Sequence, residues 1–363
     1  MDALTHKCPN CAGALTFDPN DQKFHCPYCL SVFSEQEVSD FEQAQNAAQL
    51  KDTPTEEIDE QTESHTENEA SFDLYYCSSC GAEIATDATT AATECYFCQN
   101  PVILKGRISG QFLPEKILPF KIDKKTAQTK FLDWAKSKWF VPKAFFNQQQ
   151  VENIKGVYFP YWLAHGRGRA EIKGTGTTIS VWHTDDIEYT ETKQYQIHRK
   201  AHFIYQNLIE NALSKNTQQA MVEGVQPFPV NEAIDFHSQY LAGFFAEKRD
   251  IEFENLQEKV RHKLVNYALD DLEETIAPMA TMTEDIKEGS VDEITKEYVL
   301  LPLWLVTYRS KLQKNKVYYY AMNGVTGKVK GILPLDYKKL GLCSLGIGII
   351  VSILLMIGGY FFI

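Results

Sequence analysis

Positive charge is what this 363-residue sequence is short of: 36 Lys and Arg stand against 48 Asp and Glu, a formal net charge of −12. No global basic field is available to hold nucleic acid. With 20 glycines, 14 prolines and 44% hydrophobic residues, the composition excludes a collagen-like or wholly disordered chain. The opening residues, Met-Asp-Ala-Leu-Thr-His-Lys, hold no apolar stretch of the secretory kind, so an oxidising compartment is not expected. Also missing from residues 107–335 are a phosphate loop, a dinucleotide fingerprint, a nucleophile elbow and a zinc-protease helix. Nothing in the motifs asks for an enzyme.

What is present is unevenly placed. Residues 35–73 hold thirteen acids and one base, Lys51, which accounts for the whole formal net charge. The stretch is rich in Gln, Thr and Ser and poor in large apolar residues. It reads as an acidic, disordered linker with room for a short helix over Glu35 to Leu50.

Eight of the nine cysteines are arranged. Cys8-Pro-Asn-Cys11 precedes Cys26-Pro-Tyr-Cys29 by fourteen residues, and Cys77-Ser-Ser-Cys80 precedes Cys95-Tyr-Phe-Cys98 by fourteen. Each cysteine of the first unit maps onto the second at an offset of 69, an internal repeat. A C-x2-C turn points two thiolates into one hemisphere, and a second turn completes a tetrahedron around Zn²⁺. Gly13, Gly81 and Pro27 suit the turns. Disulfides would need oxidation, and a thioredoxin-like motif needs a single C-x-x-C opening a helix after a strand. The spacing therefore predicts two Zn²⁺ per chain, one on Cys8, Cys11, Cys26 and Cys29, the other on Cys77, Cys80, Cys95 and Cys98. Four thiolates close the coordination, which makes the sites structural; His6 and His25 are bystanders. Neither unit contains an arginine, so the ribbons are expected to contact protein rather than phosphate.

The last 23 residues, Gly341 to Ile363, carry no charge and follow Lys338 and Lys339. That length, about 34 Å of helix, crosses a hydrocarbon core, and the lysines keep the preceding domains cytosolic. The expectation is a single-pass tail anchor in the cell membrane. Cys343 is read as an ordinary membrane cysteine.

Residues 107–335 form the one region able to build a large core. Val157 to Leu163 and Val299 to Leu305 share V-x-[FL]-P-x-W-L. Pro119-Phe-Lys-Ile-Asp123 and Pro227-Phe-Pro-Val-Asn231 match upstream, each ending on a helix-capping residue. An internal duplication follows. Helical spacing joins Ala127, Phe131, Trp134 and Lys138; Phe236, Tyr240 and Phe244; and Leu256, Val260, Leu264 and Tyr267. Val317 to Met322 and Lys328-Val329 read as a hairpin turning at Asn323-Gly324 in left-handed conformations. His165, Arg167 and Arg169 alternate on a strand, and Trp182 to Asp186 forms a turn; exposed polarity explains both.

These motifs, with Leu118 to Ile122, Trp139-Phe-Val-Pro142, Gly156 to Trp162, Tyr240 to Phe244, Leu301 to Trp304, Ala321 to Gly324 and Thr326-Gly-Lys328, resemble bacterial tail-anchored zinc-ribbon membrane proteins. Genes of that family often neighbour those for phage-shock protein A and flotillin-like proteins. Its members are frequently labelled primosomal helicase-like or replication proteins, but no helicase phosphate loop occurs here. The resemblance implies a membrane-bound scaffold and brings no catalytic residues.

The expected class is thus α+β. It comprises zinc ribbon 1 (1–34), the acidic linker (35–73), zinc ribbon 2 (74–106), an antiparallel α+β domain (107–335), a basic juxtamembrane segment (336–340) and a transmembrane helix (341–363). The expected function is a non-enzymatic adaptor that recruits cytosolic or membrane-associated proteins, phage-shock protein A-like or flotillin-like ones, to the bilayer. Its ribbons would search on the linker. A membrane-tethered nucleic-acid-binding protein is the alternative.

Overall fold

The computed structural model describes residues 3–49, 72–77, 83–87, 90–95, 100–104, 112–142, 154–214, 223–309, 317–332 and 335–362. Short strands flank the first cysteine pairs: β1 (Ala3–Leu4), β2 (Thr16–Asp18), β3 (Lys23–His25) and β4 (Val32–Phe33). The second unit holds β5 (Phe72–Tyr76), β6 (Glu83–Asp87), β7 (Thr90–Glu94) and β8 (Pro101–Leu104). Each of these begins within two residues of its counterpart shifted by 69. Between the units runs α1 (Glu35–Gln49), the helix allowed by the Glu35 to Leu50 stretch. A capping box starts it: the Ser34 amide and hydroxyl donate to Glu37 Oε2 at 2.7 and 2.8 Å, and the Glu37 amide faces Ser34 Oγ at 3.4 Å. Residues 50–71 lie outside the described residues.

The remainder contains β9 (Lys116–Ile117), α2 (Lys124–Lys136), β10 (Lys155–Thr184), β11 (Ile187–Asn211), β12 (Ile234–Asp235), β13 (Phe245–Glu247), α3 (Gln257–Glu274), β14 (Thr281–Arg309), β15 (Val317–Asn323), β16 (Val329–Gly331) and α4 (Tyr337–Phe362). The fold is mixed α+β. One sheet runs β1-β8-β7-β13-β10-β14-β15-β16, with β11 added to β10, and β9 bridging β14 to β12. Strand β1 leaves its own unit to pair with β8, Ala3 opposite Leu104.

Strands β10, β11 and β14 form an antiparallel arm. Thirty residues of β10 amount to about 100 Å of extended chain. Near its base the sheet is buried on both faces: Tyr158, Trp162 and Ala164 face one core cluster, while Tyr161 and Leu163 face another with Val225 and Phe228. Further out, α3 covers one face. Glycines make room for it, since a Cβ on Gly166 would lie 2.4 Å from Leu264 and one on Gly289 2.9 Å from Val265. Beyond the Thr177–Thr281 pair, among the described residues, β10 and β11 alone continue, joined by a two-residue turn with Asp185 at φ 55°.

The two V-x-[FL]-P-x-W-L segments pair with each other, but the upstream match differs from expectation. Phe159 lies directly opposite Leu301, its equivalent in V-x-[FL]-P-x-W-L, so the copies meet about a local two-fold axis. Trp304 Nε1 donates to Ile122 O at 2.9 Å, and Trp162 Nε1 donates to Ile251 O at 2.9 Å. The Phe120 and Arg249 amides each donate to a tyrosine hydroxyl, Tyr158 and Tyr298, at 3.3 Å. The counterpart of Phe120 to Asp123 is therefore Arg249 to Glu252, not Phe228 to Asn231. Asp123 caps α2, accepting from the Thr126 amide at 3.1 Å. Asn231 instead sits in a 3-10 turn, since the next residues pair with β9.

Two further expectations change. Phe236, Tyr240 and Phe244 do not share an α-helix: Ser238–Leu241 is a 3-10 turn, and Gly243 at φ +90° breaks helical continuation. Tyr240 and Phe244 still reach the core, each 6% exposed. In the β15–β16 turn the left-handed residue is Gly327 at φ +73°. Asn323 Oδ1 instead accepts from the Val325 and Thr326 amides, at 2.9 and 3.0 Å.

Helix α4 starts four residues before the expected span. Asp336 begins it, accepting from the Lys338 and Lys339 amides at 3.1 and 3.3 Å, so the basic segment forms its first turn. Tyr337–Met356, of mean hydropathy 2.2, is long and apolar enough to cross a membrane, and none of its most apolar window is buried in protein.

Candidate metal centre

Two matching turns build the site. The Cys8 amide donates to Gly13 O at 2.7 Å and the Ala12 amide to Cys8 O at 2.8 Å; the Cys26 amide donates to Ser31 O at 2.9 Å and the Leu30 amide to Cys26 O at 3.0 Å. The left-handed residues are Ala12 (φ 58°) and Leu30 (φ 60°), one after each pair, so Gly13 is not the turn residue. Gly13 is needed for space, since a Cβ there would lie 2.4 Å from the Tyr28 ring.

These turns bring the sulfurs of Cys8, Cys11, Cys26 and Cys29 within 4.8 Å of one another. Cys8 Sγ is 3.6 Å from Cys29 Sγ, and Cys11 Sγ is 3.4 Å from Cys26 Sγ. A tetrahedron with bonds of about 2.3 Å has edges of about 3.8 Å, so the quartet could hold a metal ion with small adjustment. The Asn10 amide points at Cys8 Sγ at 3.4 Å. Hydrogen bonds from Ser31 hold the Cys29 thiol down at about 6, whereas burial pushes the Cys8 thiol up. Neither nearby histidine joins the sulfurs: His6 Nδ1 pairs with Glu42, and His25 Nε2 lies 2.8 Å from Asp21.

In the second unit, buried Cys77 and Cys95 share a cluster with Tyr75, Val102 and Leu104. The Cys95 amide donates to Asn100 O at 3.0 Å, the counterpart of the Cys8–Gly13 and Cys26–Ser31 bonds. Cys80 and Cys98 lie outside the described residues.

The first unit is packed on the larger domain, a feature the sequence did not reveal. Phe17 meets the Tyr240 ring at 5.0 Å and Phe24 meets it at 5.7 Å. The Phe17 amide donates to Ala242 O at 3.0 Å, and Gln22 Nε2 to Phe120 O at 2.8 Å. Helix α1 adds Glu35, which accepts from the Tyr240 hydroxyl at 2.7 Å, and Glu42, which faces both His6 and Gln239. Tyr28 Oη donates to Asn100 Oδ1 at 3.0 Å, joining the two units. Only Phe17 and Phe24, as apolar positions on short strands, could have hinted at this contact.

The polar candidates of the arm are largely paired. Arg167 reaches Glu293 at 2.7 Å, and Arg169 reaches Asp292 at 3.2 Å. Arg169, Glu171, Lys200, His202 and Glu288 line an open groove of about 700 Å³. The turn residue Trp182 stacks on Tyr189 with centroids 5.7 Å apart.

No family model and no solved structure matches the chain. It is similar to a protein of Bacillus subtilis (strain 168) named "Uncharacterized protein YdjG", with 28% identity over 344 residues, covering 95% of this chain and 94% of that one.

Proposed function

We propose that the chain is a non-enzymatic adaptor anchored in the cell membrane by α4, with its other domains cytosolic. Its cysteine units are zinc ribbons, each holding one structural Zn²⁺. The adaptor recruits cytosolic or membrane-associated proteins, of the phage-shock protein A-like or flotillin-like kind that the family resemblance implies. Four sulfurs at tetrahedral spacing support structural zinc, since a closed thiolate shell leaves no position for substrate.

The observation that carries recruitment is the arm tip. Ile179, Val181, Trp182, Ile187 and Tyr189 are each more than 40% exposed on a two-stranded extension. Such a ribbon is marginal alone in water, and a cluster of exposed apolar side chains marks a contact surface. The packing of Phe17 and Phe24 on Tyr240 moves the expected recruiting surface from freely searching ribbons to this arm. Asp185, Asp186, Glu188 and Glu191 against Lys193 favour a protein partner with a basic rim over nucleic acid.

The test is recovery of partners by proximity labelling from the full membrane chain, comparing wild type with Trp182→Ser/Tyr189→Ser. The expected result is loss of labelled proteins with membrane retention unchanged. Unchanged labelling, or salt-sensitive retention of nucleic acid on filters, would favour the alternative reading.

A further inference from the structure

The base of α4 is braced by a loop from elsewhere in the chain. The Asp336 amide donates to Phe140 O at 2.6 Å, and Lys339 Nζ donates to Val141 O at 3.1 Å. Trp139, the neighbouring residue, is 83% exposed and so contributes little to the protein core. Ile332, Leu335 and Tyr337, on the chain entering the helix, are 55%, 50% and 63% exposed. The charge here is opposite to that of the whole chain: residues 136–142 and 335–340 contain Lys136, Lys138, Lys338 and Lys339 against Asp336 alone.

From this arrangement we infer that the Trp139–Pro142 loop and the first turn of α4 form a footing on an anionic bilayer surface, with Trp139 seated among the headgroups. The inference rests on the reading of α4 as a membrane span. Leu340, the first residue after the lysines, lies four positions beyond Asp336, which is about 6 Å of helix rise. The headgroup layer on each side of the hydrocarbon core is about 5–7 Å thick. A loop hydrogen-bonded at Asp336 therefore lies at headgroup depth, where an indole ring is best accommodated. The lysines around it meet the negative potential of a cytoplasmic leaflet. The acidic arm tip, which carries the chain's other strongly exposed tryptophan, has the wrong charge for that surface.

The footing fixes how the domain stands on the membrane, because two chain segments rather than one hinge hold it there. Lys339 serves both roles, bonding the loop through its side chain and starting the span through its backbone.

The experiment uses the full chain in phosphatidylcholine vesicles, with or without phosphatidylglycerol, and with acyl chains brominated or not. Brominated lipid is expected to reduce the emission of wild type, which has five tryptophans. Trp139→Phe should remove most of that loss, and Trp182→Phe should preserve it. Lys136→Gln/Lys138→Gln should return the loss in phosphatidylglycerol vesicles to the level seen in phosphatidylcholine. Because Trp139 is exposed, its replacement leaves the core intact, and circular dichroism checks this. A chain that resists alkaline carbonate extraction yet shows no brominated-lipid effect overturns the footing alone. Disappearance of the effect in Trp182→Phe rather than Trp139→Phe also overturns it, placing the arm on the bilayer instead. Release of wild type by carbonate overturns the span, and the footing with it.

Discussion

Phe120 and Arg249 hold equivalent places in the two halves of the core. Phe120 lies 5.0 Å from the rings of both Tyr158 and Trp304, while the Arg249 guanidinium lies 5.4 Å from the Tyr298 ring and 4.9 Å from the Trp162 ring. One half uses an aromatic ring where the other uses a buried cation over aromatic faces.

This equivalence sets a prediction for the two tryptophans. Trp162→Phe and Trp304→Phe each remove the indole donor from a carbonyl 2.9 Å away. Each should cost about 1–3 kcal/mol, because each leaves a buried backbone acceptor unmet. Denaturant unfolding in detergent measures this. Arg249→Phe, which copies the other half, should cost less than Arg249→Ala, since both lose the ion pair with Glu252 but only alanine also leaves a cavity.

A second prediction concerns the seam between the first cysteine unit and the larger domain. Phe17→Ala should destabilise by about 3–5 kcal/mol. A double-mutant cycle with Tyr240→Phe and Tyr240→Ala should assign about 0.5–1.5 kcal/mol to the ring contact and a separate part to the hydrogen bond with Glu35. Additive effects would mean the unit does not pack on Tyr240.

The sequence made visible those features whose chemistry is local. Cysteine spacing foretold the Cys8, Cys11, Cys26 and Cys29 cluster because ligand geometry is set within five-residue turns. Asp123, the Ala127–Phe131 stripe and the uncharged C-terminal run were legible for the same reason. Contacts made at long range were not. Phe17 and Tyr240 are more than two hundred residues apart, and nothing in either segment names the other. The pairing of Phe120 with Arg249 was hidden because a ring and a guanidinium share no residue class. Tyr240 and Phe244 were placed in the core by spacing but on the wrong element, since four-residue spacing cannot distinguish an α-helix from a 3-10 turn closed by a glycine at positive φ.

The arm supplies a third prediction. A Cβ on Gly168 would lie 2.1 Å from the backbone oxygen of Ser290, whereas one on Gly166 would meet the tip of the flexible Leu264 side chain. Gly168→Ala should cost about 1–3 kcal/mol and more than Gly166→Ala, because a strand must shift where a rotamer otherwise could. Thermal midpoints of the two variants compare them directly.

Acid titration supplies a fourth. Hydrogen bonds from Lys173 and Lys200, then His198, hold the Glu171 carboxyl down at about 2. Lys173 Nζ and Lys200 Nζ lie 2.8 and 3.0 Å from its oxygens. A depressed carboxyl favours the folded state above its ordinary range, near 4.5, and that contribution fades as pH falls towards 2. Glu171→Gln should therefore flatten the loss of stability between about pH 4.5 and 2. An unchanged acid profile would show that the lysines do not hold the charge.

Each cysteine unit is proposed to hold one zinc ion, and the metal can be counted directly. Metal analysis of the full chain purified in detergent should find two zinc ions, with Cys8→Ser/Cys26→Ser leaving one and loosening the Phe17–Tyr240 seam. A chelator should strip the metal faster as pH falls, because protons compete for the thiolates. Fewer than one zinc per chain in protein that is folded and still membrane-bound would contradict the account.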